Sequence, residues 1–226
     1  MKQREGSDEA KRRAGSSAAE AITDGDVVGL GTGSTAAWAI RALGRRVDAG
    51  LDVRGIPTSY QSRQLAREAS IPIVTLEDAL PDVAIDGADQ VAGTDLIKGG
   101  GAAHAREKIV DTAADRFLVV VDETKLADAL EAPVPIELLP DAVPVVSEAV
   151  RSLGGSPELR IATRKDGPVV TDNGNVVLDS AFGSIDDPAA LADELSTIPG
   201  VVEHGLFVDL ADEIHVGTES GVDVLR

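Results

Sequence analysis

The sequence predicts an α/β fold built on a mostly parallel sheet, with a smaller α+β unit inserted late in the chain. Three observations predict it. Short apolar runs, Val27-Val28-Gly29-Leu30 and Val83-Ala84-Ile85 among them, alternate with helical stretches in the rhythm of βα units. The run from Phe117 to Val121 is apolar throughout, as in a parallel strand covered on both faces. Pro133, Pro135, Pro140 and Pro144 then crowd together and mark a crossing into a second unit, because proline closes regular elements.

In order, Ser7 to Ile22 reads as an amphipathic helix with Asp8 and Glu9 in its first turn, where carboxylates suit the helix dipole. Thr23-Asp24-Gly25-Asp26 is a turn before the strand 27–30. That strand breaks into Gly31-Thr32-Gly33-Ser34-Thr35, and Ala36 to Leu43 continues as a helix, the opening of an α/β unit. Leu51 to Ile56 is a second strand, and Thr58 to Ser62 leads into a helix through Glu68. Ile71 to Val74 is a third strand, placed at an edge by Pro72. Val83 to Ile85 is a fourth, ending in Asp86-Gly87-Ala88-Asp89. Lys98-Gly99-Gly100-Gly101 opens a helix, and Phe117 to Val121 is the fifth strand, ending in Asp122-Glu123-Thr124-Lys125. Beyond the prolines, Ser147 to Leu153 is a helix closed by Gly154-Gly155. Leu159 to Thr163 and Val169 to Thr171 read as strands. Asp172-Asn173-Gly174-Asn175 is a hairpin turn returning through Val176 to Leu178. Pro188 to Leu195 is a helix. Leu206 to Val208 and Glu213 to Val216 are final strands expected to rejoin the first unit.

Composition narrows the function. The 226 residues suffice for a sizeable core, and 43% are hydrophobic, as in a globular protein. No apolar run nears the roughly 18 residues of a membrane span, and Met1-Lys2-Gln3-Arg4-Glu5 is too polar for a signal peptide. A cytoplasmic protein is expected. The absence of cysteine excludes disulfides, thiolate metal sites and cysteine nucleophiles. A net charge of −18 repels nucleic acid and anionic lipid. It also fits adaptation to a salty interior, where screening tolerates an acidic surface, or simply an acidic protein.

Four motifs carry chemistry. Lysine, three glycines and a helix start, Lys98 to Ala102, combine a cation with backbone N–H groups in an anion cradle; the same residues also fit a plain loop before a surface helix. Gly31-x-Gly33-x-x-Ala36 matches the dinucleotide fingerprint in form, but the second strand ends in Ile56-Pro57-Thr58-Ser59 without the acid a nicotinamide site wants. The hydroxyls of Thr32, Ser34 and Thr35 fit a single phosphate, or simple helix capping. Asp86 and Asp89 stand three apart just past a strand, where open parallel sheets bind ligands. They fit proton transfer, an Asx turn, or a metal site lacking further ligands nearby. On a helical wheel Glu107 sits at the edge of an apolar arc with Ala103, Val110 and Ala114, while Lys108, Asp111 and Asp115 take the polar side. That suits a general base or a salt bridge. Lys125 follows a strand end and fits phosphate or surface. His104, His204 and His215 have no metal-ligand spacing and are read as structural or exposed.

Together these stretches resemble the type A ribose-5-phosphate isomerase family. The matching runs are Gly29 to Ala36, Asp86 to Asp89, Lys98 to Ala103 with Arg106-Glu107-Lys108, Val121 to Lys125, Thr171 to Val176 and Ile198 to Val202, in family order over most of the chain. Pro57 to Ser62 looks like the archaeal version, and the acidic charge fits a halophilic member. One departure is Gln90, where many members carry glutamate.

The resemblance implies a Rossmann-like catalytic domain over residues 1–130 and 207–226, with a small α+β, ferredoxin-like domain over 131–206. It implies reversible isomerisation of ribose 5-phosphate and ribulose 5-phosphate through a cis-enediolate, in pentose phosphate metabolism, with no cofactor and no metal. The general base falls on Glu107. Asp86 and Asp89 would handle ring opening and the O1 and O2 protons, and Lys98 would stabilise negative charge. Substrate-binding positions fall on Thr32, Gly33, Ser34 and Thr35; on Asp86, Gly87, Ala88 and Asp89; on Lys98, Gly99, Gly100 and Gly101; and on Lys125, with Lys11 a further phosphate candidate. The implied partners are a sugar phosphate and a second copy of the chain in a homodimer, or three in a tetramer, with neither nucleic acid nor membrane. The alternative reading is a non-catalytic sugar-phosphate sensor on a related scaffold.

Overall fold

A computed structural model describes residues 6–226; the polar run Met1 to Glu5 lies outside the described residues. The first half runs α1 (Asp8–Glu20), β1 (Val27–Leu30), α2 (Ser34–Asp48), β2 (Arg54–Pro57), α3 (Tyr60–Glu68), β3 (Val83–Gly87), β4 (Gln90–Ala92), β5 (Asp95–Ile97), α4 (His104–Ala113) and β6 (Arg116–Asp122). The rest runs β7 (Val134–Leu138), α5 (Val143–Ser152), β8 (Ser156–Leu159), β9 (Val176–Ala181), α6 (Pro188–Ser196), β10 (Val201–His204), β11 (Leu206–Phe207), β12 (Glu213–Gly217) and β13 (Val222–Leu225). Among the described residues no helix is long and apolar enough to cross a membrane.

Two compact units result. The first holds the chain up to Ala88, Arg106–Leu126 and Leu210–Arg226. Its six-stranded sheet has the order β13-β12-β6-β3-β1-β2 and is parallel except for the antiparallel edge strand β13. Strand β1 shows why both faces are covered. Val28 and Leu30 join a core with Ala14 and Ala18 of α1 and Ile40 and Leu43 of α2. Val27, one register step away, packs with Ile56 and with Val110 of α4. Period-two alternation thus sends successive side chains into two different helical layers. The chain leaves β1 toward β2 on one side and reaches β3 on the other, so the order reverses between β1 and β3. A crevice at the carboxyl ends of such strands is where open α/β sheets bind ligands.

The second unit holds Asp89–Ala105 and Ala127–Asp209. Its antiparallel sheet has the order β10-β7-β9-β8, and its chain path is β7-α5-β8-β9-α6-β10, the split βαβ arrangement of a ferredoxin-like domain. Val134, Ile136 and Leu138 of β7 pack against Val146 and Val150 of α5 and Leu195 of α6. Segment 89–105 groups here rather than with the first unit, because β4 and β5 form a hairpin whose β5 pairs with β11.

Several elements differ from the sequence reading, for physical reasons. Ile71 to Val74 is no strand; it makes one bridge, Ile73 with Gly55, and Pro72 supplies an acceptor but no donor. Pro135 lies inside β7, where its carbonyl accepts from Gly205 N–H at 2.7 Å. Pro144 opens α5 rather than breaking it, which suits proline in a first turn. Residues 159–163 and 169–171 form only isolated bridges besides the end of β8.

Candidate active site

In the first unit the site begins where β1 gives way to α2. Gly31 N–H donates to Ile85 carbonyl at 3.0 Å, tying the loop to β3. A side chain at position 31 would strike the Asp86 carboxylate, with a Cβ placed 2.1 Å from its Cγ, so glycine is required there. The carboxylate occupies that space and accepts from Thr32 N–H at 3.0 Å and from Gly87 N–H at 2.7 Å. Asp86 is fully buried, and this grip fixes it at the end of β3. The Thr32 hydroxyl donates to Ser59 Oγ at 2.7 Å and lies 2.9 Å from Thr58 Oγ1.

Gly33 takes a positive φ of 109° and stands as N-cap of α2, with no side-chain cap. Ser34 and Thr35 are therefore inside the first turn rather than capping it, and that turn carries no acid. Its amides and positive dipole end suit an anion. Lys11 lies in α1 with its stem buried, and its ammonium makes no ion pair among the described residues. Lys125 sits half-buried in a 3-10 turn after β6, where Asp122 Oδ1 accepts from Thr124 N–H at 3.0 Å.

Glu107 lies in the first turn of α4 and is only 3% exposed. It is one helical step of three from Val110, whose side chain packs on β1 and β2. The expectation of a carboxylate at an apolar margin is exceeded: the group is buried. Asp111 is buried as well and not on a solvated face, since a residue four along lies about 40° from Glu107 on the wheel.

The second unit holds Asp89, Lys98 and the glycines. Asp89 N–H donates to Ile97 carbonyl at 2.8 Å, and its Oδ2 accepts from Gly100 N–H at 2.7 Å. A Cβ at Gly100 would fall 2.6 Å from Asp89 Oδ1, so the loop closes on the carboxylate only with glycine. This modifies the cradle expected from three glycines, since the Gly100 amide serves Asp89. Arg160 holds the loop from β8's end: its guanidinium donates to Gly99 carbonyl at 2.9 Å and Gly100 carbonyl at 3.2 Å, while Nε donates to Asp179 at 2.8 Å. Gly101 is exposed. Lys98 is 2% exposed, with its ammonium 5.2 Å from the centre of the Phe207 ring, a cation–π distance.

Sequence reasoning missed Arg160, Phe207 and the hydroxyl pair Thr58 and Ser59. Arg160 and Phe207 are far from the loop in sequence, and no motif marks them. Thr58 and Ser59 stood in the second βα turn, where hydroxyls beside the glycine-rich loop after β1 were a usable signal. The three histidines, expected to be structural or exposed, are all buried: His204 Nε2 is 3.1 Å from Ser196 Oγ, and His215 Nδ1 is 2.8 Å from Ser17 Oγ. Gln90 is buried, and its side-chain carbonyl accepts from Glu131 and Ala132 N–H at 2.8 Å each, a bracing role outside the reacting groups. Among the described residues no three acidic or histidine side chains cluster as a metal site.

Comparison with known proteins places this geometry. The sequence model of ribose 5-phosphate isomerase A (phosphoriboisomerase A) matches residues 54–221. A ribose-5-phosphate isomerase A of Natronomonas pharaonis is 73% identical over 99% of this chain and 100% of its own length. One from Haloarcula marismortui is 69% identical over 97% and 96%. Among solved structures, ribose 5-phosphate isomerase A of Methanocaldococcus jannaschii superposes with a TM-score of 0.93 at 47% identity, covering 96% of this chain and 98% of that one. A D-ribose-5-phosphate isomerase in complex with phospho-erythronic acid gives 0.95 at 46% identity, covering 98% and 99%.

Proposed function

We propose, because the chain belongs to the ribose 5-phosphate isomerase A family, that its buried carboxylates carry out the family's reaction with Glu107 as the base. The chain is an aldose–ketose isomerase that interconverts ribose 5-phosphate and ribulose 5-phosphate. Glu107 removes the C2 proton of the open-chain aldose, the electrons pass through a cis-enediolate, and the same carboxyl returns the proton to C1. Asp86 and Asp89 handle ring opening and the O1 and O2 protons. Lys98 offsets the charge that develops on the enediolate oxygens. The first turn of α2, with Thr32, Ser34 and Thr35, takes the phosphate, with Lys11 as a further cation. Lys125, Gly87, Ala88 and Gly99 to Gly101 line the substrate. The protein works in the cytoplasm, in pentose phosphate metabolism, as a homodimer, without cofactor.

The observation that carries this reading is the buried position of Glu107 at the head of α4. A carboxylate withdrawn from water is a stronger, better-aimed base than one on the surface. Replacing it as Glu107→Gln keeps shape and hydrogen bonding but removes the base. We expect kcat to fall by about 10²- to 10⁴-fold with substrate affinity largely kept. Near-normal turnover in this variant would remove Glu107 from the role. A sugar-phosphate sensor would bind ribose 5-phosphate without forming ribulose 5-phosphate, which an assay with chelator present reads directly.

A further inference from the structure

The first unit carries a cleft lined by none of the residues assigned above to the isomerisation. Two hollows of about 390 and 360 Å³ adjoin, sharing Pro57, Arg63 and Arg106 as walls. Each lies within the usual 300–1,000 Å³ of small-molecule sites. The larger is apolar, floored by Ile56, Leu76 and Ile109. Ile109 is 56% exposed, an apolar side chain left facing solvent. The smaller is cationic: Arg63, Arg67 and Arg106 converge there with Tyr60 at its edge. Arg63 and Arg67 are four apart on α3 and so share a face. Neither guanidinium makes an ion pair among the described residues. That is notable in a chain with 39 acidic and 21 basic residues, where carboxylates abound as partners.

We propose that this cleft binds a nucleoside diphosphate, its base in the apolar hollow and its phosphates on the three arginines. Arginine is the side chain best suited to bidentate phosphate contact, and such bonds act at short range where salt screens little. The apolar hollow supplies what inorganic phosphate could not use. Glu77 on its wall offers an acceptor to ribose hydroxyls. Ser59 lines the cationic hollow and accepts from Thr32, so the cleft adjoins the phosphate loop without sharing its amides.

Isothermal titration of the full-length protein in concentrated KCl tests this with ADP, adenosine and pyrophosphate as probes. ADP is expected to saturate, with adenosine and pyrophosphate each weaker by about tenfold or more, because each fills one hollow. Arg67→Gln is expected to weaken ADP by about tenfold through loss of a charge-assisted contact. Ile109→Glu is expected to weaken ADP and adenosine but not pyrophosphate. Both variants should keep the parental KM for ribose 5-phosphate. Failure of ADP to saturate, undiminished ADP binding in both variants, or full displacement of ADP by ribose 5-phosphate would overturn the proposal.

Discussion

Two glycines show how the proposed acids, Asp86 and Asp89, are set by what is missing from a neighbour. Asp86 lies where a side chain on residue 31 would be, and Asp89 where one on residue 100 would be. Gly100→Ala must push the loop or the Asp89 carboxylate aside. A shift of about 1 Å in a reacting group can cost about 100-fold, so kcat/KM for ribose 5-phosphate should fall by that order while melting temperature changes little. A rate near that of the parent would show that Asp89 is not held by this contact. His215 gives a residue-scale pH effect. Burial holds its pKa below the ordinary value, a pull that Glu213, 3.6 Å away, only partly opposes, while Arg116 and Arg226 add to it. The unfolded chain therefore binds the proton more readily. The contribution to stability is full above about pH 6.5 and is lost as pH falls through that value toward the folded pKa. Melting temperature should drop on acidification through this window, and His215→Asn should flatten that drop. Among the candidate residues, Asp86 and Lys98 were legible because each stands at a strand end next to glycine, and Glu107 because of its place on the helical wheel. Arg160 and Phe207 were not, since their contacts join positions tens of residues apart.

At the scale of elements, strands with plain apolar alternation or continuous apolar runs were readable, and those held by partners were not. The short strands β4 and β5 and the edge strand β13 carry little pattern of their own; each exists because a neighbour offers a ladder. Proline was over-read as punctuation: β7 keeps Pro135 because its carbonyl still finds Gly205, and α5 accepts Pro144 where a helix needs no donor. Arg160 is the tie between an element and the glycine loop. It follows β8 and grips the Gly99 and Gly100 carbonyls while Asp179 of β9 pairs with it. Arg160→Gln removes charge-assisted bonds from a half-buried group, at an expected cost of about 1–3 kcal/mol in unfolding free energy. It should also raise KM, because Lys98 and the glycine loop lose their anchor. Denaturant unfolding and steady-state kinetics measure the two effects separately, and a variant unchanged in both would show that the loop holds its shape unaided.

Over the whole molecule, fold class and reaction were legible because motifs recur in order from Gly29 to Val202, whereas the grouping of 89–105 with the second unit depends on pairing that sequence does not display. The charge is legible from composition alone. With 39 acidic and 21 basic residues, several ion pairs, such as Arg116 with Glu213, tie local carboxylates, but a net −18 stays uncompensated. Folding gathers that charge into a smaller volume, so the compact state bears more self-repulsion than the extended chain. Salt decides how much is felt: the Debye length is about 30 Å at 0.01 M and about 3 Å at 1 M. At the lower value repulsion reaches across a unit, and at the higher it is confined to neighbours. Melting temperature should therefore rise steadily with KCl over that range, most steeply at its low end, and recover on returning salt to a desalted sample. NaCl at equal ionic strength should give a similar early rise, because screening does not depend on the cation. A melting temperature independent of KCl would mean that the acidic surface is neutral for stability, and the halophilic reading of the charge would fall with it.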